Sequence, residues 1–289
     1  MGLKDSIRPW IPPALLGWVR KLRGTENQHI RREWAVIGTA FPTEPDHGWS
    51  ADSVVQSQTA KWEEFSKRIS APNPIAASHE DPLGAPNWVV AQNTHLVFAY
   101  ALARALQGRR SLRWLDWGCG LGQYHLIAKS LFPEVKFEYW GKDFAPLIAE
   151  ARRLVPEGHF VACAEELPAE PFDLVVASGS IQYGADLGKS LEELVKRSKD
   201  WVLVTRVPTV SHGPSVVLRQ SPQRHGYDTT YHGWCFNREE FLKAAEGSGL
   251  KLEREFLTDL DFPLTGMELE CRYRGYLFRR TQSTGSSPG

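Results

Sequence analysis

The spacing of apolar residues changes character partway along the chain. Over residues 52–69, Val55, Trp62, Phe65 and Ile69 share one helical face. Over 88–107, Leu96, Ala99, Ala103 and Leu106 do the same, with Gly108 as the C-terminal stop. Residues 25–51 are broken by Gly38, Pro42, Pro45 and Gly48, and residues 71–87 by prolines at 72, 74, 82 and 86, so both read as irregular. Residues 25–109 thus form a helical lead-in, or cap. From residue 110 onward, short apolar runs alternate with helical stretches. Strands are predicted at Leu112–Trp117, Val135–Gly141, His159–Ala162, Asp173–Ser178, Trp201–Arg206, Lys251–Leu257 and Cys271–Phe278. Helices are predicted at Tyr124–Leu131, Ala145–Leu154 and Leu187–Arg197, and another opens at the capping box Asn237–Glu240 and closes at Gly247 and Gly249. Strand–helix alternation with short connections predicts a mostly parallel sheet covered on both faces and joined by right-handed crossovers.

Residues 207–236 break this rhythm. They are too many for a plain connection. They carry Pro208, Pro214, Pro222, His212, His225, His232, Tyr227, Tyr231 and Trp234. The segment follows the carboxyl end of the fifth strand, where open α/β sheets place ligands, and is expected to be an active-site lid. The tail 281–289 is rich in Ser and Gly and is expected to be disordered.

Composition narrows the function. Lys plus Arg equals Asp plus Glu at 34 each, and a zero net charge argues against a general nucleic-acid binder. Cys119, Cys163, Cys235 and Cys271 are scattered without a CxxC pair, which fits neither a disulfide framework nor a zinc ribbon and makes a reducing cytoplasm the default. No apolar run is long enough to span a bilayer. Residues 1–24 hold Lys4, Arg8, Arg20, Lys21 and Arg23 against Asp5, a local net of +4, and Leu15, Val19 and Leu22 share a face. Such a helix docks either on the protein's own body or on an anionic surface at the inner face of a membrane.

The chemistry centres on Leu115-Asp116-Trp117-Gly118-Cys119-Gly120-Leu121-Gly122, which ends a strand and opens a helix. Glycines let the backbone turn sharply and approach a ligand, and helix-terminal amides can donate to it. A dinucleotide fingerprint GxGxxG needs a third glycine at 123, where the chain has Gln123; the glycine stands at 122 instead. Asp143 follows the next strand, 21 residues after Gly122, where a carboxylate can accept from ribose hydroxyls or cap the following helix. The DxGxGxG spacing resembles the first motif of class I S-adenosylmethionine-dependent methyltransferases. That resemblance implies a Rossmann-like, doubly wound, mostly parallel seven-stranded sheet over residues 110–280, with S-adenosyl-L-methionine as cofactor and S-adenosyl-L-homocysteine as product. It places Asp116, Gly118, Gly120, Gly122, Asp143 and Phe144 at the cofactor, Ala164 and Glu165 at adenine, and Ser178 near the methionine portion and the acceptor.

A narrower resemblance is to a family of methyltransferases often encoded among surface-polysaccharide genes. It is carried by His47-Gly48-Trp49, Leu115–Gly122, Asp173–Tyr183, Thr205–Pro208, Tyr227–Trp234 running into Asn237–Phe241, and Tyr273–Tyr276, spanning most of residues 30–280. It implies O-methylation of a sugar or glycan-like small-molecule acceptor. His232 is the favoured proton acceptor, over His125 and His225, because Tyr231 and Trp234 flank it with rings suited to a sugar face or a sulfonium. Arg206 is expected either to clamp an anionic acceptor or to pair with an acidic lid residue such as Asp228. Trp117 and Trp140 are expected to wall the cofactor pocket, and Trp49, Trp62 and Trp88 to pack in the core. His232 and Cys235 make only one HxxC pair, so no metal site is expected. A nicotinamide oxidoreductase and a non-catalytic cofactor-binding protein are the other classes the motif allows.

Overall fold

The computed structural model describes residues 33–43, 48–81, 89–263 and 270–281. The N-terminal basic segment, Trp88 and the 282–289 tail lie outside the described residues. Two helices lead in, α1 at Asp52–Ser70 and α2 at Val89–Leu106. They bury the stripes Val54–Phe65–Ile69 and Phe98–Ala101–Leu102–Ala105.

Seven strands are predicted from sequence, whereas the described residues hold ten. Strands β2 (Ser111–Trp117), β3 (Lys136–Lys142), β4 (His159–Val161), β5 (Phe172–Ser178) and β6 (Ser198–Val210) pair in parallel in the order β4-β3-β2-β5-β6. Crossovers are made by α3 (Gln123–Leu131), α4 (Ala145–Leu154) and α5 (Leu187–Arg197). The chain runs outward from β2 and then resumes on its other side at β5. The carboxyl ends of β2 and β5 therefore flank the switch point where such sheets bind ligands. The last helix, α6 (Arg238–Gly247), is capped by Asn237, whose side chain accepts from the Glu239 and Glu240 amides. Strands β9 (Leu250–Pro263) and β10 (Glu270–Arg280) close the far edge, with β10 antiparallel to β6 and β9.

The additional strands are β1 (Trp34–Gly38), β7 (Val216–Gln220) and β8 (Tyr231–Asn237), joined as an antiparallel ledge in the order β1-β7-β8. The 207–236 segment, expected to be a lid, is built largely of regular structure. It is the end of β6, two strands and a short 3-10 turn at Gln223–His225. Likewise, part of the stretch predicted to be irregular before residue 52 is β1. The ledge's position follows from β6, whose first half pairs with β5 as far as Thr205. Beyond that point Thr209 and Val210 pair with Phe236 and Asn237 of β8, while β10 keeps the opposite edge. The ledge therefore extends past the carboxyl end of β5, beside the ligand crevice.

Two buried clusters sandwich the sheet. One joins Phe98, Trp114, Tyr139 and Leu203 to the lead-in helices; the other joins Leu115, Val175, Val202, Phe241 and Tyr276.

Candidate active site

The turn from β2 into α3 holds Gly118, Gly120 and Gly122 at φ +86°, +55° and +91°. These left-handed conformations are disfavoured for residues with a Cβ. Gly118 also leaves no room, because a Cβ there would lie 2.4 Å from Ser180 Cβ. The turn is tied to the end of β3 by the Gly118 and Cys119 amides, both donating to the Lys142 carbonyl. Asp143 accepts from the Gly120 amide (2.7 Å, Oδ2) and from its neighbour Phe144 (2.7 Å, Oδ1). It does not cap α4, whose N-cap is Phe144 with no side-chain hydrogen bond. Burial pushes the Asp143 carboxyl above its ordinary range, opposed by the Gly120 and Phe144 amides.

A cavity of about 970 Å³ opens at this turn. It sits at the upper end of the ~300–1,000 Å³ typical of ligand pockets, which leaves room for a cofactor and an acceptor together. Gly118, Gly120, Asp143, Phe144 and Ser178 line it, as do Arg206 and Tyr231. Asp116, Gly122, Ala164, Glu165 and His232 do not. Asp116 lies fully buried beneath the turn, accepting from the Tyr139 hydroxyl (3.2 Å) through one oxygen while the other has no partner. Burial raises its carboxyl to about 8. Gly122 answers to packing, since a Cβ there would press on Phe160 and Val155. Ala164 and Glu165 sit in a 3-10 turn after β4.

The favoured base is displaced by strand geometry. Tyr231 and His232 are neighbours on β8, so they point to opposite faces. Tyr231 faces the cavity and stacks on Trp49 (4.7 Å, 24°), while His232 faces Phe41 (6.4 Å). Burial raises the Tyr231 hydroxyl's pKa, so it serves as a donor or a wall and not as a base. His125 stacks on Tyr139 (4.6 Å) outside the cavity lining. Trp117 walls the cavity as expected, with Lys142 Nζ over its ring at 4.8 Å. Trp140 stacks instead on His159 (4.7 Å). Trp49, expected in the core, is a cavity residue.

Arg206 pairs not with Asp228 of the 207–236 segment but with an acid of the cap. Its Nη2 lies 2.6 Å from Oε2 of Glu80, 126 residues away. Arg206 adopts φ +56°, strain that a non-glycine residue bears only where surrounding structure enforces it. Burial alone would raise the Glu80 carboxyl, but Arg206, with His79 and His225, holds it well below the ordinary range.

Sequence reasoning missed the cap's contribution to this site. His79, Glu80, Asp81, Thr94 and His95 line the cavity from α2 and the loop before it. His95 Nδ1 is 2.7 Å from the Ile75 carbonyl. A carbonyl only accepts, so Nδ1 carries the proton and Nε2 is the ring's acceptor. Burial lowers both His79 and His95 to about 4. The HxxC spacing aside, no group of three or more His, Cys, Asp or Glu stands at metal-holding distance among the described residues. No helix among them is long and apolar enough to cross a membrane.

Residues 115–200 match the model of a methyltransferase domain family. No curated protein matches the chain in sequence. Among solved structures, the chain is similar to the 1,6-didemethyltoxoflavin-N1-methyltransferase of Burkholderia thailandensis, bound to 1,6-didemethyltoxoflavin and S-adenosylhomocysteine. That match has 16% identity, covers 86% of this chain and 95% of that one, and has a TM-score of 0.48. An S-adenosylmethionine-dependent methyltransferase of Clostridium acetobutylicum matches at 12% identity, 66% and 92% coverage, and a TM-score of 0.46. The amino pentose methyltransferase CalS10 of Micromonospora echinaspora matches at 17% identity, 65% and 91% coverage, and a TM-score of 0.43. Likenesses this distant say nothing about the acceptor.

The matched segment contains the glycine turn and Asp143. The chain carries a methyltransferase domain and is an S-adenosylmethionine-dependent methyltransferase. The residues present suit that cofactor: an open cavity, a carboxylate with lone pairs left for two hydroxyls, and the half-exposed Phe144 ring beside it for an adenine face.

Proposed function

We propose that the protein methylates a hydroxyl group on a neutral, sugar-like acceptor. The observation that carries this reading is the make-up of the cavity beyond the glycine turn. Aromatic rings from Trp49, Tyr183 and Tyr231 provide flat apolar faces, and the charges beside them are already paired. Arg206 pairs with Glu80 at 2.6 Å and Arg224 with Glu33 at 2.6 Å. Beyond the cofactor turn an acceptor meets rings, amides, hydroxyls, imidazoles and two paired guanidinium groups, while Lys142, its Nζ over the Trp117 ring, stands beside Asp143. That suits a polyhydroxylated neutral molecule better than a uronate or a phosphate.

The cofactor supplies a methyl group on a sulfonium, already activated toward displacement. Asp143 holds the nucleoside's ribose through the carboxylate lone pairs that the Gly120 and Phe144 amides leave over. Ser178, hydrogen-bonded to the Tyr124 hydroxyl at 2.6 Å, fixes the wall at the carboxyl end of β5. Gly179 takes φ +61°, a left-handed turn that glycine adopts freely, beside the Arg206 side chain. Holding the acceptor oxygen in line with the methyl group contributes the greater part of the rate, up to ~7–11 kcal/mol for well-oriented groups. His95, neutral and oriented by Ile75, takes the hydroxyl proton on Nε2, replacing His232 in that role.

The test uses methyl-labelled S-adenosylmethionine with neutral, uronate-containing and phosphorylated glycan fractions. The neutral fraction should gain label and one methyl group's mass. Label confined to the anionic fractions would overturn the acceptor class.

A further inference from the structure

The cofactor turn and the acceptor wall are joined by one buried chain of hydrogen bonds. The Leu121 amide donates to Gln123 Oε1 (3.1 Å). Gln123 Nε2 donates to Gln58 Oε1 (3.3 Å), and Gln58 Nε2 donates to the Tyr227 hydroxyl (3.2 Å). A main-chain N–H can only donate, so it sets the direction of every amide after it. All three side chains are buried: Gln58 and Gln123 are 3% exposed and Tyr227 is 1% exposed. Beyond Tyr227 the contacts are aromatic. Tyr227 meets Trp49 edge-on at 6.0 Å, Trp49 stacks on Tyr231, and Tyr231 meets Tyr183 at 5.2 Å.

The same face of α1 grips the segment that carries Tyr227. Ser57 Oγ and Lys61 Nζ donate to the His225 carbonyl (2.6 and 2.7 Å), and the Asp228 amide donates to Ser53 Oγ (3.0 Å). Ser53, Ser57 and Lys61 are spaced four residues apart, so they form one row along the helix. On its other side the row's neighbour, Gln58, reaches the glycine turn, its Oε1 lying 3.3 Å from where a Gly120 Cβ would stand.

We propose that Gln58 is a positioning residue that couples occupancy of the cofactor end to the order of the acceptor wall, so that a ligand at either end eases binding at the other. This rests on the methyltransferase reading of the same cavity. Gln58 and Gln123 both line the cavity, so with water in it their amides can exchange protein partners for solvent. A ligand seated against the turn removes that competition, and the relay to Tyr227 is retained. Ordering one end then lowers the cost of ordering the other, and the effect is reciprocal.

S-adenosylhomocysteine is the probe, and the readout is hydrogen exchange of the full chain, resolved by peptide. In the parent protein, saturating probe should slow exchange at residues 118–123 and also at 223–231, the latter by roughly tenfold. In Gln58→Met the slowing at 118–123 should persist while that at 223–231 disappears. Gln58→Glu keeps an oxygen for each partner and should restore it. Tyr227→Phe removes only the far hydroxyl and should uncouple the two regions in the same way. Slowing at 118–123 alone in the parent, or full slowing at 223–231 in Gln58→Met and Tyr227→Phe, would overturn the coupling and leave the cofactor assignment standing. No slowing in either region would overturn both.

Discussion

Glu80 lies in a loop that no motif marks, yet it sets the charge of the cavity, and replacing it tests the site most directly. Glu80→Gln retains one hydrogen-bond acceptor for Arg206 and removes the charge. Breaking a buried pair costs ~3–5 kcal/mol because the remaining ion is left uncompensated. Here Arg206 keeps 31% of its side chain open to the cavity and Glu80 17%, so water relieves part of that cost. The lower end, about 3 kcal/mol, is the expected loss, read as a fall in the urea midpoint at constant slope. Arg206→Met combined with Glu80→Gln should recover most of it, because no buried charge is then unpaired. The single variant should also discriminate between ligands. S-adenosylmethionine is a net cation and S-adenosylhomocysteine is not. An uncompensated guanidinium lining the same cavity disfavours the cation and leaves the neutral product's affinity nearly unchanged. Calorimetry with both ligands should show the methylated form losing affinity selectively. Stability within ~0.5 kcal/mol of the parent, additive single and double variants, or equal loss for both ligands would refute the account of this pair.

Other expectations follow from the same geometry. Gly118→Ala forces a Cβ at φ +86° to within 2.4 Å of Ser180 Cβ, so it should lower the melting temperature and abolish S-adenosylhomocysteine binding; a parent-like melt would contradict the turn's geometry. Asp143→Ala should weaken S-adenosylhomocysteine binding by ~1.5–3 kcal/mol, the value of hydrogen bonds to a charged group, and unchanged calorimetric affinity would remove Asp143 from the ribose. Stability should fall as pH drops from about 6.5 to about 4, because His79, His95 and His125 take protons in the unfolded chain but stay neutral when folded until about pH 4. Each such proton contributes ~1.4 kcal/mol per pH unit. Asp116 runs the other way: its contribution is complete below its unfolded value of 3.8 and is lost as pH rises through about 8. Urea midpoints should therefore peak near pH 6.5, and Asp116→Asn should flatten the alkaline side of the curve.

The parallel sheet was legible because each of its elements carries its own local signal. The run from Leu112 to Trp117 is apolar, the turn after it is glycine, and the helix Leu187–Arg197 has one buried stripe through Leu191 and Leu194. Asp143 was legible because its spacing from the turn is fixed by one helix and one strand. The ledge was not. Val216-Val217-Leu218 and Tyr231–Phe236 have strand-like sequences, but Pro214, Pro222 and Gly226 between them read as loop. A strand exists only where a partner completes its hydrogen bonds, and β7 finds its partners in β1 and β8, one of them some 180 residues back. Once β8 is known to be a strand, alternation separates Tyr231 from His232 at once.

The sequence by itself determined the sheet's direction of winding, the sharp turn after β2 and the carboxylate opposite it, because those depend on residues close together in the chain and on backbone conformations only glycine adopts freely. Tertiary structure alone decided the end of the cavity beyond the glycine turn. Arg206 meets Glu80, Gln58 meets Gln123 and Tyr227, and His95 comes to line the cavity only because α1, α2 and the ledge converge over the carboxyl ends of β2 and β5. Contacts between residues 65 to 169 positions apart leave no spacing to read; they arise from burial of the faces that carry them.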